Sequence, residues 1–131
     1  MQISDSILQD VRRLVADKFA FELDEVQSES GFFADLGLES IDLLELSFHL
    51  EKLYGVKIRL QDMGRGEYAL DEQGCLTGES LVQLKSKYPF MKLDGFETRP
   101  LRRPGDIVTI DAIAGFVQMA LEANGSQSRT R

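Results

Sequence analysis

The sequence predicts an all-α fold in a single domain. Apolar residues recur at helical spacing in four stretches, which are residues 3–19, 40–54, 76–88 and 109–121. The second stretch is the clearest, because its apolar residues form two stripes that only a helix of about 3.6 residues per turn would display. The chain has 131 residues, of which 43% are hydrophobic, and this is enough for one compact core.

The first helix is predicted from Ile3 to Phe19, with Ser4 as its N-terminal cap. An apolar stripe marks its buried face: Ile7, Leu8, Val11, Leu14 and Val15. Residues 20–39 lack a sustained period, but they contain apolar anchors for a long loop pinned to the core: Phe21, Leu23, Val26, Phe32, Phe33, Leu36 and Leu38. We therefore expect a long first loop that follows the core.

The second helix is predicted from Ser40 to Tyr54, and Gly55 follows where a C-terminal cap would sit. Its first stripe comprises Ile41, Leu44 and Phe48, and its second comprises Leu43, Leu46, Leu50 and Leu53. Ser40 falls at the cap or first position, where unpaired backbone N–H groups and the positive end of the helix dipole favour a phosphate. Taken alone, however, Ser40 is explained equally well as an ordinary N-cap.

The remainder of the chain is predicted to form two helices separated by irregular segments. Residues 61–74 contain three glycines and no period, so they should form a loop. A helix over residues 76–88, capped by Thr77, stops at Pro89, and residues 90–104 are extended because two prolines bar a regular helix. The closing helix begins near Thr109. The domain then spans residues 1–122, and residues 123–131 form a disordered tail.

The net charge of −7 belongs to the first half of the chain. Residues 1–62 hold 13 acidic and 6 basic side chains, whereas residues 63–131 hold 9 of each. An acidic surface repels nucleic acid and suits partners with Lys or Arg patches. No apolar run approaches the roughly 18 residues of a membrane span, and the single Cys75 excludes an internal disulfide or a Cys-x-x-Cys zinc site. We expect a cytoplasmic monomer without a metal.

A serine hydrolase is disfavoured by the surroundings of Ser40. The residues on either side of it lack the Gly-x-Ser-x-Gly elbow. The only histidine, His49, lies nine residues further on, which places it roughly opposite Ser40 and over two helical turns away. We therefore expect a protein that catalyses nothing itself, in which His49 is a partly exposed helix residue.

The string from Phe32 to Ile58 resembles the acyl carrier proteins. Their attachment motif is usually Asp-Ser-Leu, which follows Leu-Gly-x and precedes a helix carrying Glu-Leu. Here the three parts read Leu36-Gly37-Leu38, Glu39-Ser40-Ile41 and Glu45-Leu46, so that the replacements keep charge and apolarity. The resemblance implies a four-helix bundle with a long first loop. It covers residues 1–60 and 104–122, leaves an inserted segment at about 61–103, and implies that residues 104–108 supply a short third helix.

The resemblance also implies a function. Ser40 would carry a 4'-phosphopantetheine arm, attached from coenzyme A by a phosphopantetheinyl transferase, and the arm would hold acyl intermediates as thioesters for separate enzymes. Those acyl-transferring or acyl-ligating enzymes would present basic patches to Glu39, Ile41, Leu44, Glu45, Phe48 and Glu51. An acyl chain would lie against Leu43, Leu46 and Leu50. Because the Gly-Gly-x-Ser of peptidyl carriers is missing, fatty acid, lipid or polyketide assembly is favoured.

Two alternatives stay open at this point. The chain could be a helical interaction domain that never receives the arm and that docks through Ile41, Leu44 and Phe48. The inserted segment could be a tolerated surface excursion, since long insertions cost little loop entropy. Because its predicted helix has one apolar stripe and a short isolated helix is marginal in water, we expect it to pack on the carrier core, near the acyl pocket or its rim.

Overall fold

The computed structural model describes residues 3–62, 69–91, 93, 100 and 107–123, and four α-helices account for most of them. We name the helices α1 (Asp5–Phe19), α2 (Ser40–Tyr54), α3 (Gly78–Lys87) and α4 (Ile110–Ala123). Short 3-10 helices occur at Leu23–Glu25 and Leu60–Asp62. The described residues contain isolated bridges but no strand, which confirms the all-α prediction.

Helix α1 packs along α4 and also against α2. It buries Ile7, Val11 and Val15 in one apolar cluster with the inner faces of those two helices. The Tyr54 hydroxyl donates to Asp10 Oδ2 at 2.6 Å and so joins the end of α2 to α1. Burial first, and then this bond to a carboxylate, raise the pKa of Tyr54 above its ordinary value.

The predicted start of α1 is wrong by two residues. The helix begins at Asp5, and Ser4 occupies the N-cap position with extended backbone. Its hydroxyl makes no capping hydrogen bond and instead lies 3.1 Å from Ser6 Oγ. The Ser4 backbone N–H donates to Gln118 Oε1 at 2.6 Å, so the entry to α1 is held by α4 rather than by a local cap.

The long first loop follows the core, as predicted, and Arg12 fastens its first part. The guanidinium donates to the carbonyls of Leu23, at 3.0 Å, and of Val26. Val26, Phe32 and Phe33 are buried, but Leu23 is 40% exposed, so its assignment as an anchor is wrong. Leu23 lies in a 3-10 turn whose backbone, and not its side chain, is held by Arg12.

Helix α3 lies in the inserted segment and begins two residues after the predicted start. Thr77 caps it as predicted, because its Oγ1 accepts from Ser80 N at 3.1 Å. The buried Ser80 hydroxyl in turn accepts from Ala69 N and donates to Ala69 O, at 2.7 and 2.9 Å. Leu84 and Tyr88 are buried in the common apolar cluster. The predicted packing of the insertion on the core is therefore confirmed.

Several sequence predictions fall wholly or largely outside the described residues. They are the extended form of residues 90–104, apart from 90, 91, 93 and 100, and the short third helix over residues 104–108, apart from 107 and 108. The disordered tail also lies outside, except that Ala123 is the last residue of α4. In the described part of the chain, none of the helices has both the length and the apolarity to cross a membrane.

Candidate functional site

The long first loop positions the start of α2 by pairing with the chain that precedes α4. Phe32 N donates to Val108 O at 2.8 Å, and Ile110 N donates to Ser30 O at 3.0 Å. The buried Phe32 ring also packs edge-on against Phe19 at the end of α1. Because the loop is held at both its backbone and its side chains, the residues that lead into α2 have a defined path.

Gly37 makes the last turn before the helix. Its φ of 66° lies in the left-handed region, where side chains other than glycine are strained. Glu39 then adopts extended backbone as the N-cap. The glycine of the Leu36-Gly37-Leu38 motif therefore has a physical reason, because it allows the turn that redirects the chain into α2.

Glu39, and not Ser40, caps α2. Glu39 N donates to Asp42 Oδ2 at 2.8 Å, and the Glu39 side chain accepts from the Asp42 backbone N–H, so the two acids form a reciprocal capping box. Ser40 consequently takes the first helical position, where its exposed hydroxyl is not used in capping. This excludes the ordinary N-cap interpretation of Ser40. The sequence did not reveal the box because Ser or Thr usually begins it.

The start of α2 suits a phosphate ester on Ser40. The first backbone N–H groups of a helix have no intrahelical acceptor, and the positive end of the helix dipole lies there. Within the described residues, hydrogen bonds occupy the N–H groups of Glu39, Asp42 and Leu43, whereas none is formed by those of Ser40 and Ile41. A phosphoryl group on the Ser40 hydroxyl would therefore meet donors that are still open.

The outward face of α2 is an apolar stripe in contact with solvent. Ile41, Leu44 and Phe48 are 66%, 49% and 68% exposed. Glu45 lies beside the stripe, and its Oε2 is 3.5 Å from Nε2 of the half-buried His49. We call Ile41, Leu44 and Phe48 the outer stripe. Large exposed apolar residues side by side mark a surface that can bind a partner.

The three acids predicted to surround the outer stripe differ in their contacts. Glu39 is committed to the capping box. The Glu51 carboxylate accepts from Ile58 N at 2.9 Å and so holds the chain that leaves α2. The Glu45 carboxylate pairs with the side chain of His49 and makes no other ion pair or side-chain hydrogen bond among the described residues. Of the three, Glu45 has the carboxylate least engaged in the fold.

The inner face of α2 carries Leu43, Leu46 and Leu50, which are 6%, 0% and 0% exposed. Between them the buried Ser47 hydroxyl accepts from Leu60 N at 3.0 Å, so the Leu60–Asp62 turn folds back onto the middle of α2. These leucines face the core, as their spacing predicts. Within the described residues, no group of His, Cys, Asp and Glu side chains could hold a metal ion.

The chain was compared with family models and with known proteins. Residues 9–65 match the family model described as "Phosphopantetheine attachment site". The matched range contains Ser40 and all of α2 but ends before α3. The chain is also 30% identical over 66 residues to acyl carrier protein AcpXL of Mesorhizobium japonicum, in an alignment that covers 47% of this chain and 71% of that relative.

Proposed function

The chain belongs to the acyl carrier protein family, whose members carry covalently attached 4'-phosphopantetheine, and from this premise we propose that Ser40 is the attachment residue. One observation carries the proposal. Ser40 is an exposed serine at the first position of α2, and its hydroxyl is left available because Glu39 and Asp42 cap the helix. When bound, the group supplies a terminal thiol that holds an acyl group as a thioester.

Attachment requires Ser40 to act as the nucleophile toward coenzyme A. Its Oγ forms a bond to the phosphorus next to the pantetheine, the phosphoanhydride bond breaks, and the adenosine bisphosphate portion leaves, while a phosphopantetheinyl transferase accepts the hydroxyl proton. This chain contributes the position of Oγ and the open N–H groups of Ser40 and Ile41. The protein itself catalyses no reaction, and it delivers acyl groups in the cytoplasm to enzymes of fatty acid, lipid or polyketide assembly.

The outer stripe and its acidic neighbours are the proposed docking surface. The outer stripe offers apolar area, which is exposed at Ile41, Leu44 and Phe48. Glu39, Glu45 and Glu51, which lie around the stripe, offer negative charge to basic patches on the transferase and the acyl-handling enzymes. The surplus negative charge of the chain lies in this half. We propose that the acyl chain, when it is sheltered, lies toward the inner face formed by Leu43, Leu46 and Leu50.

The test is the intact mass after incubation with coenzyme A and a broad-specificity transferase. We expect one phosphopantetheine on the wild type and none on Ser40→Ala. Ser6→Ala is the matched control, because Ser6 is also an exposed serine in the first turn of a helix, α1. It should be modified like the wild type. An unchanged mass of the wild type, or modification that persists in Ser40→Ala, contradicts the proposal.

A further inference from the structure

Helix α4 is buried on all sides in its first half, and this includes a glycine. Ile110, Asp111, Ala112, Ile113, Ala114 and Gly115 are all buried. A helix that buries only one face leaves solvent along the other, so α4 must be covered by more than α1. Glycine is a poor residue for a helix interior, and Gly115 therefore needs a reason of its own.

The reason is the ring of Phe90, which comes from the inserted segment. A Cβ atom at Gly115 would lie 2.3 Å from Cγ and 2.4 Å from Cδ1 of Phe90, far inside van der Waals contact. Phe90 is 4% exposed, and its ring lies 5.8 Å from that of Tyr88, which in turn lies 6.1 Å from Phe116 of α4. The absence of a side chain at residue 115 thus makes room for Phe90.

The same segment is tied to the α2 side of the bundle. The Tyr88 hydroxyl donates to the carbonyl of Asp62 at 3.2 Å. Asp62 belongs to the Leu60–Asp62 turn, which Ser47 holds against the middle of α2. Tyr88 and Phe90 therefore lie between a turn that rests on α2 and the buried face of α4. We call this arrangement the aromatic plug, composed of Tyr88 and Phe90.

We propose that Phe90 is a specificity-determining residue, because its ring limits the length of acyl chain that can lie between α2 and α4. The inference rests on the proposed function, since it requires an acyl chain tethered at Ser40. Leu46 and Leu50 belong to the same buried apolar cluster as Tyr88 and Phe90. A chain that follows the inner face of α2 past these leucines therefore approaches the region that the aromatic plug fills. Protein interiors are closely packed, so an acyl chain can enter this region only if a side chain moves away or is removed.

The test compares acylated forms of the wild type and Phe90→Ala. A broad-specificity transferase loads each apo protein from hexanoyl-, decanoyl- or hexadecanoyl-coenzyme A, and the midpoint of thermal unfolding is measured for each form. Removing the ring opens an apolar space, and apolar spaces of this kind take up apolar ligands. We expect the decanoyl form of Phe90→Ala to melt about 4 °C or more above its hexanoyl form, with no such rise in the wild type.

Two variants control the result. Val82→Ala changes a 69% exposed residue of α3 and should behave like the wild type. Adding Gly115→Ala to Phe90→Ala places a methyl group where the ring was, so the rise should shrink. If Phe90→Ala does not fold, Phe90→Leu should show a smaller rise in the same direction.

The outcomes separate this inference from the proposed function. Equal rises in wild type and Phe90→Ala, no rise in either, or a rise in Val82→Ala would each overturn the role of Phe90 while leaving Ser40 as the attachment residue. Failure of every protein to accept an acyl-phosphopantetheine would overturn the proposed function, and this inference with it.

Discussion

The outward faces of α2 and α4 are both apolar, but they meet different surroundings. On α2, the outer stripe is between 49% and 68% exposed. On α4, the run from Ile110 to Gly115 is buried, because the long first loop pairs with its first residues and the Phe90 ring of the aromatic plug covers Gly115. An apolar face left open is available to partner proteins. Because the inserted segment covers an apolar face of α4, that segment is part of the core.

The largest expected effect is loss of the fold when the insertion is removed. Replacing residues 61–103 with a short Gly/Ser linker would delete six large apolar side chains that are buried in the core, which are Leu76, Leu84, Tyr88, Phe90, Met91 and Leu93. Burial of each large apolar side chain contributes about 1.5–3 kcal/mol, against a total stability of about 5–15 kcal/mol for an ordinary domain. We expect no cooperative unfolding transition in urea for this variant.

The sequence left open whether the insertion was a surface excursion, and this variant decides it. A helical linker variant with a sharp urea transition would contradict the assignment of the insertion to the core. Retention of the fold together with normal modification of Ser40 would mean that α4 tolerates an uncovered apolar face, as α2 does.

The next effect is the loss of one plug residue. Phe90→Ala should lower the free energy of unfolding by about 3–5 kcal/mol, as is usual for a buried phenylalanine. Gly115→Ala alone should cost about 1–3 kcal/mol, because its methyl group collides with the ring. In the double variant the methyl group occupies vacated space, and alanine favours the helix by about 1 kcal/mol over glycine.

Urea unfolding of the four proteins measures the coupling between the two positions. The double variant should be more stable than Phe90→Ala. Additive losses would show that the ring and residue 115 do not share the same space.

Local patterns explain why α2 was predictable and the plug was not. The predicted range of α2, Ser40–Tyr54, and its cap at Gly55 are both confirmed. The amphipathic spacing and the glycine lie within a few residues of each other, so neighbouring side chains determine them. By contrast, Phe90 and Gly115 are 25 positions apart in the sequence. Their sequence contexts predict an extended segment and a helix, but not that one ring fits against one glycine.

Long-range pairing also explains what was missed around Ser40. The sequence predicted that α2 begins at Ser40, and this start is confirmed. The hydrogen bonds from Phe32 to Val108 and from Ile110 to Ser30 join segments that have no shared pattern in the sequence. The Glu39–Asp42 capping box was missed for another reason. Ser40 follows Glu39 directly, and serine is a common N-cap residue, so the cap was assigned to Ser40.

The acids around the outer stripe should separate into structural and docking residues. Glu51→Gln weakens the hydrogen bond from Ile58 N and should lower the free energy of unfolding by about 1 kcal/mol.

Glu45→Lys should change the free energy of unfolding by no more than about 0.5 kcal/mol. It should nevertheless slow modification of Ser40 at low salt, because it reverses a charge beside the proposed docking surface. The difference should fade well above about 0.15 M salt, where exposed charges are screened. Equal transferase rates for Glu45→Lys and the wild type would show that the docking surface does not lie on this face of α2.

Phe48→Ala tests whether the outer stripe differs in kind from the aromatic plug. Phe48 is 68% exposed, so its removal should change the free energy of unfolding by no more than about 0.5 kcal/mol, in contrast to Phe90→Ala. The rate of modification by the transferase should nevertheless fall, because the stripe supplies apolar contact area. A stability loss as large as that of Phe90→Ala would show that the stripe is covered within the protein itself.

The smallest expected effect is a difference in reactivity between two thiols, the Cys75 thiol of the inserted segment and the thiol of a phosphopantetheine on Ser40. Cys75 of the insertion is buried, and desolvation, with a further contribution from the Asp71 carboxylate, raises the pKa of its thiol. Because the thiolate is the reactive form, a maleimide at neutral pH should modify Cys75 slowly, whereas the thiol of a phosphopantetheine on Ser40 should react at once. Intact mass should show one fast label on the phosphopantetheinylated protein and none on Ser40→Ala. Labelling of Cys75 as fast as the arm would mean that the insertion opens readily, and it would weaken the conclusion that this segment is a fixed part of the core.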